Sequence, residues 1–177
     1  ALADVVGSTA LIERLDAEVW IGIMNRAFNQ ISQAIYRYEG MINQLLGDGL
    51  LAIFGVPAHE DDAERAVRAA LELQALVKAY AVILSQDPGI DFKMRVAVNT
   101  GDAIVSAVGP DQHVEYTAIG DVVNLTARLQ SEAAPGTVLI GESTYRLARH
   151  VIDVAPKGAV TVRGRQQPEN IYEVVGI

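Results

Sequence analysis

No cysteine occurs among the 177 residues, which excludes disulfide frameworks, thiolate zinc sites and cysteine nucleophiles. Histidine is scarce. His59, His113 and His150 stand far apart in the chain, too scattered for a histidine-rich metal centre. Positive charge is short as well: 14 Lys and Arg against 22 Asp and Glu leave a formal charge of −8 and a pI near 4.8. That balance argues against a broad nucleic-acid-binding surface, which needs clustered cations to displace counterions. No apolar run approaches the roughly 20 residues that span a bilayer, and the longest, Leu50 to Pro57 and Ala79 to Leu84, read as core. A basic start followed by an apolar stretch is also missing, so no signal peptide is visible. The chain opens without methionine on the strand-like Ala1-Leu2-Ala3-Asp4-Val5-Val6. It is expected to be a fragment of a longer polypeptide, with this domain in the cytoplasm.

What is present suits one domain over residues 1–177, because half the residues are apolar and a fifth charged, enough to bury a large core. Residues 1–6 read as a buried strand ending at Gly7-Ser8-Thr9, where Ser8 or Thr9 can cap the next helix. From Trp20 to Tyr38, Ile21, Met24, Phe28, Ile31, Ile35 and Tyr38 recur at helical spacing and predict a one-sided helix. Ile42–Leu46 and Leu50–Phe54 flank Gly47-Asp48-Gly49, a hairpin signal with a carboxylate at its tip. A second helix follows Asp61 or Asp62, with Ala66, Ala70, Leu73, Val77, Tyr80 and Leu84 on one face. Phe92, Met94, Val96 and Val98 predict a half-buried strand. Asn99-Thr100-Gly101-Asp102 turns it into a second strand, Ala103–Val108, and Glu115–Ile119 is a further extended run. Gly120-Asp121 opens a helix to about Ala133, Val138–Ile140 is a strand, and Ser143–Ala148 is a short helix. Short strands follow around Val160–Val162 and Ile171–Val175. This order predicts an α+β fold, with helices covering one face of a mainly antiparallel sheet. The simplest such fold is a ferredoxin-like βαββαβ core with extra C-terminal strands.

Asp4, late in a buried strand, and Asp48, at a hairpin tip, converge if their strands are neighbours. Two close carboxylates in a protein without histidine clusters suit hard cations such as Mg²⁺ or Mn²⁺. The competing reading is a turn aspartate plus an aspartate bonded to local backbone. Gly7-Ser8-Thr9 can present backbone N–H groups to an anion, or be an ordinary helix cap. Asn124 and Arg128, four residues apart, share a helix face. Such a pair can orient a ribose oxygen and neutralise a phosphate, or merely be solvated. His59-Glu60-Asp61-Asp62 reads as a helix start rather than a metal site, since consecutive residues diverge around the axis.

Three runs occur in order: Ala3-Asp4-Val5-Val6-Gly7-Ser8-Thr9, Leu46-Gly47-Asp48-Gly49-Leu50-Leu51-Ala52-Ile53-Phe54-Gly55, and Glu115-Tyr116-Thr117-Ala118-Ile119-Gly120-Asp121-Val122-Val123-Asn124-Leu125-Thr126-Ala127-Arg128. Together they resemble the catalytic domain of the class III adenylate/guanylate cyclases. Ala58-His59-Glu60-Asp61-Asp62-Ala63 is similar to the bacterial members. The likeness runs on to Val162-Arg163-Gly164-Arg165 and Ile171-Tyr172-Glu173-Val174-Val175, nearly the whole chain.

The resemblance implies a head-to-tail homodimer with two sites at its interface. Asp4 and Asp48, assisted by the Val5 carbonyl, would hold two divalent cations, Mg²⁺ or Mn²⁺. The turn at Gly7, Ser8 and Thr9 would bind the triphosphate, and Arg163, where the family usually has lysine, its terminal phosphates. The partner protomer would supply Asn124 for the ribose and Arg128 for the α-phosphate. The ribose 3′-hydroxyl would then attack the α-phosphorus, releasing pyrophosphate and a 3′,5′-cyclic nucleotide, with the two ions serving hydroxyl and leaving group. Gln44 stands where the family's adenylate cyclases usually carry a purine-reading lysine, and Thr117 aligns with its partner in that task. A glutamine amide can donate to adenine or accept from guanine. ATP is the expected substrate and GTP a side activity. The rival is a domain that binds nucleotide or dimerises without turnover.

Overall fold

The computed structural model describes residues 1–46, 48–56, 58–86, 90–108, 115–161 and 167–177, without the side chains of 44–46, 104–108 and 115–119. In chain order the elements are β1 (Leu2–Val5), α1 (Ser8–Arg14), α2 (Ala17–Arg37), β2 (Met41–Leu46), β3 (Gly49–Ile53), α3 (Asp62–Leu84) and β4 (Met94–Val98). There follow β5 (Ile104–Val108), β6 (Glu115–Ile119), α4 (Asp121–Glu132), β7 (Val138–Gly141), α5 (Glu142–Ala148), β8 (Asp153–Val160) and β9 (Glu169–Gly176). Among the described residues seven strands form one sheet in the order β2-β3-β1-β4-β7-β9-β8. Its pairs are antiparallel except β4 with β7. This is the α+β architecture that the order of elements predicts.

The helices α2 and α3 close one face. On α2, Trp20, Ile23, Met24, Ala27, Ile31, Ala34 and Ile35 are buried, while Ile21 is 56% exposed. Met24, Ile31 and Ile35 are buried as expected, and the stripe differs at its start, where Trp20 rather than Ile21 turns inward. Along α3 the expected face is buried from Ala66 to Tyr80. Tyr80 donates its hydroxyl to the Ile23 carbonyl at 3.1 Å, fastening α3 to α2. Both helices pack on Ala3 and Val5 of β1, Leu50 and Ala52 of β3, and Met94, Val96 and Val98 of β4.

A second, smaller core lies on the other face, where Leu125 and Leu129 of α4 meet Ala97, Leu139 and Ile171. The expectation that helices cover one face is corrected here. β4 is covered on both sides, with Met94, Val96, Ala97 and Val98 all within 1% of complete burial, so it is not the half-buried strand expected from its alternation. Ala97 was the misleading position, because alanine reads as neutral in a binary pattern yet lets α4 approach closely.

Two further differences concern strands. β5 leaves the main sheet and pairs with β6, Val105 opposite Ala118. β8 runs over Asp153–Val160, starting before the strand expected around Val160–Val162, of which Val162 lies outside the described residues. It contains Pro156, which it tolerates because β8 is an edge strand with one side free of ladder hydrogen bonds.

Candidate active site

β1 lies between β3 and β4. Its register with β3 sets Ala3 opposite Leu50 and Asp4 opposite Gly49, so the hairpin tip carrying Asp48 arrives beside the end of β1. The Val5 N–H donates to the Asp48 carbonyl at 2.8 Å. Glycine at position 49 makes the approach possible. A Cβ there would lie 2.2 Å from the Ala3 carbonyl oxygen and 3.0 Å from the Asp4 Cα, a distance at which backbone must move. The two aspartates, remote in sequence, are thereby brought together.

Alternation along β1 fixes the direction of Asp4. Ala3 and Val5 enter the α2/α3 core, so Asp4 projects from the opposite face. Its Oδ1 is buried and has no hydrogen-bond partner among the described residues. Opposite Asp4 on β4 stands Arg95, between Met94 and Val96 of the core and hence on the same face as Asp4. The Arg95 Nε is likewise buried and without a partner. Leaving such groups unpaired costs free energy that a ligand of opposite charge would recover. Arg95 was missed in reading the sequence. Its one signal there is an arginine interrupting a strand that is otherwise apolar.

The turn after β1 departs from the capping expectation. Gly7 occupies the N-cap of α1 in the left-handed conformation, φ 67°, and no side chain caps the helix. The Ser8 hydroxyl instead donates to Asp48 Oδ2 at 2.7 Å. Gly7 and Thr9 are exposed beside it.

Asn124 and Arg128 share an exposed side of α4, while Leu125 and Leu129 are buried. Arg128 Nη2 lies 3.1 Å from Glu132 Oε1 one turn further on. Among the described residues no hydrogen bond or ion pair links either residue to Asp4 or Asp48. Gln44 sits on β2 at a register shift opposite Leu51, and Thr117 sits on β6 opposite Ser106. β2 and β6 are in contact, while the side chains of Gln44 and Thr117 lie outside the described residues. So does Arg163. The acidic run after β3 serves local structure, with His59 Nε2 2.7 Å from Glu39 Oε2 and the His59 N–H donating to Asp62 Oδ2 at 2.9 Å.

Carboxylate oxygens from Asp4 and Asp48, one of them buried and without a partner among the described residues, are the kind of hard donor that a divalent cation takes. The residues present therefore fit such an ion.

The mainly antiparallel α+β sheet thus sets two aspartates beside one strand end. Residues 1–175 match the family model of the adenylate and guanylate cyclase catalytic domain, and the chain belongs to that family. The guanylyl cyclase Cya2 superposes with a TM-score of 0.93 at 29% identity, covering 99% of this chain and 90% of that one. The adenylyl cyclase CyaB from P. aeruginosa gives 0.87 at 34% identity, covering 99% and 92%. Adenylate cyclase 1 of Rhizobium meliloti (strain 1021) is 28% identical over 98% of this chain, which spans only 27% of that relative's length. The protein is thus similar to adenylyl and guanylyl cyclases alike. Among the described residues no helix is long and apolar enough to cross a membrane.

Proposed function

We propose that residues 1–177 form one catalytic domain that converts ATP to 3′,5′-cyclic AMP and pyrophosphate at the interface of a homodimer. The observation that carries this reading is the approach of the Asp4 and Asp48 main chains around Gly49, with Asp4 Oδ1 buried and without a partner among the described residues. Asp4, Asp48 and the Val5 carbonyl would hold two divalent cations, Mg²⁺ or Mn²⁺. When bound, these ions favour the ionised 3′-hydroxyl and take up charge on the departing pyrophosphate. The chain's own groups do the rest. The backbone N–H groups of the turn at Gly7, Ser8 and Thr9 receive the phosphates, with the Arg95 guanidinium facing the same space from β4 and Arg163 taking the terminal phosphates. Asn124 and Arg128 face away from their own core, so they serve a second copy, Asn124 orienting the ribose and Arg128 neutralising the α-phosphate. Gln44 and Thr117 read the purine from elements that touch. A guanylate cyclase is the second reading, favoured by a glutamine amide that both donates and accepts.

The test is product analysis with Mn²⁺ and either ATP or GTP, beside Asp48→Ala. Cyclic AMP should dominate, and Asp48→Ala should lower turnover at least about 100-fold. Equal turnover of both nucleotides would overturn the base preference. Binding without product would leave a nucleotide-binding dimerisation domain.

A further inference from the structure

We propose that the Ser8 side chain is a positioning group for the cation site, its hydroxyl fixing the Asp48 carboxylate rather than touching substrate phosphate. The inference rests on the reading of Asp4 and Asp48 as cation ligands. The two partners are 40 positions apart in sequence, yet the Ser8 hydroxyl reaches Asp48 Oδ2 at 2.7 Å, the length of a strong O–H···O⁻ hydrogen bond. The backbone is arranged for it. Gly7 at φ 67° turns the chain so that the first residue of α1 faces the hairpin tip, and the Val5 N–H holds the main chain of Asp48 at 2.8 Å. Carbonyl and side chain of Asp48 are therefore both tied to the β1–α1 turn before any ligand arrives.

A hydroxyl suits this task. It donates one hydrogen bond without adding charge, so the carboxylate keeps its full negative charge for a cation. With Oδ2 engaged, the side chain is held in one orientation and Oδ1 is left to coordinate. Groups that orient a metal-binding carboxylate commonly change metal affinity 10- to 100-fold when removed.

The experiment measures Mn²⁺ binding to the whole chain by electron paramagnetic resonance, and the Mn²⁺ concentration that half-saturates turnover, for wild type, Ser8→Ala, Ser8→Thr and Asp48→Ala. Ser8→Ala should weaken Mn²⁺ binding and raise half-saturating Mn²⁺ about 10-fold. The nucleotide KM at saturating metal should move less than this, and Ser8→Thr should restore most of the loss. If Ser8→Ala raises the nucleotide KM and leaves Mn²⁺ affinity at its wild-type value while Asp48→Ala loses the ion, the hydroxyl serves the phosphates and this inference is wrong. Wild-type Mn²⁺ affinity in Asp48→Ala would sink the cation-site reading itself.

Discussion

At the hairpin tip a single hydrogen atom in place of a side chain decides how near β3 can come to β1. Gly49→Ala would press a methyl group against the Ala3 carbonyl, and such crowding costs about 1–3 kcal/mol. Urea unfolding should show that loss, and Mn²⁺ binding should weaken with it, because the displaced strand carries Asp48 away from Asp4. Arg95 offers a second residue-scale test. Arg95→Met keeps an unbranched apolar stem and removes the charge-assisted hydrogen bonds available to a triphosphate. The nucleotide KM is expected to rise about 10- to 100-fold, measured at saturating Mn²⁺, with little change in unfolding midpoint. The two aspartates were legible in the sequence because glycine marks a tip and a strand end marks an edge. Arg95 was not, since its meaning depends on standing opposite Asp4, a register that no local pattern encodes.

Elements are held in place by a few polar contacts as well as by apolar faces. The buried Gln74 of α3 donates to the Met94 carbonyl at 3.0 Å and the Thr137 carbonyl at 2.8 Å, joining α3 to β4 and to the start of β7. Gln74→Met keeps the volume and removes the donor. It should cost about 1–3 kcal/mol, read from thermal or urea unfolding. Between α5 and β9, the Tyr172 hydroxyl donates to Glu142 Oε2 at 2.6 Å, and the Tyr145 and Tyr172 rings stack at 4.2 Å. That hydrogen bond lowers the Glu142 carboxyl below its ordinary 4.5 and raises the Tyr172 phenol from 10.0 to about 12.

The bond needs an ionised Glu142 and a neutral Tyr172. Its contribution is therefore complete between about pH 5 and 10, fading below as the carboxylate takes a proton and above as the phenol loses one. The stability difference between wild type and Tyr172→Phe should be about 1 kcal/mol on that plateau. It should shrink as pH falls below 4.5 and as it rises from 10 toward 12. At this scale the sequence revealed which segments are helical, through their 3.6-residue stripes. It did not reveal that α4 crosses to the other face, because an alanine in β4 carries too little hydrophobic signal to announce a partner.

For the whole molecule, the proposed division of labour between an acidic strand end and an exposed helix face predicts complementation. Each interface site would draw Asp48 from one copy and Asn124 from the other. Asp48→Ala and Asn124→Ala proteins, each inactive alone, should recover about a quarter of wild-type activity when mixed in equal amounts, since half of randomly formed dimers keep one intact site of two. Activity that stays at zero after subunit exchange would show that each copy builds its site unaided. The net charge of −8 sets copies against one another at low salt, so the dimer fraction should rise with ionic strength, visible by sedimentation.

The sheet ends on one side in β8, which carries Pro156, and on the other in β2, which touches β6. A ring nitrogen without hydrogen leaves one margin short of a donor, and a neighbouring ribbon touches the other. Both features disfavour strand-by-strand pairing between copies of this chain.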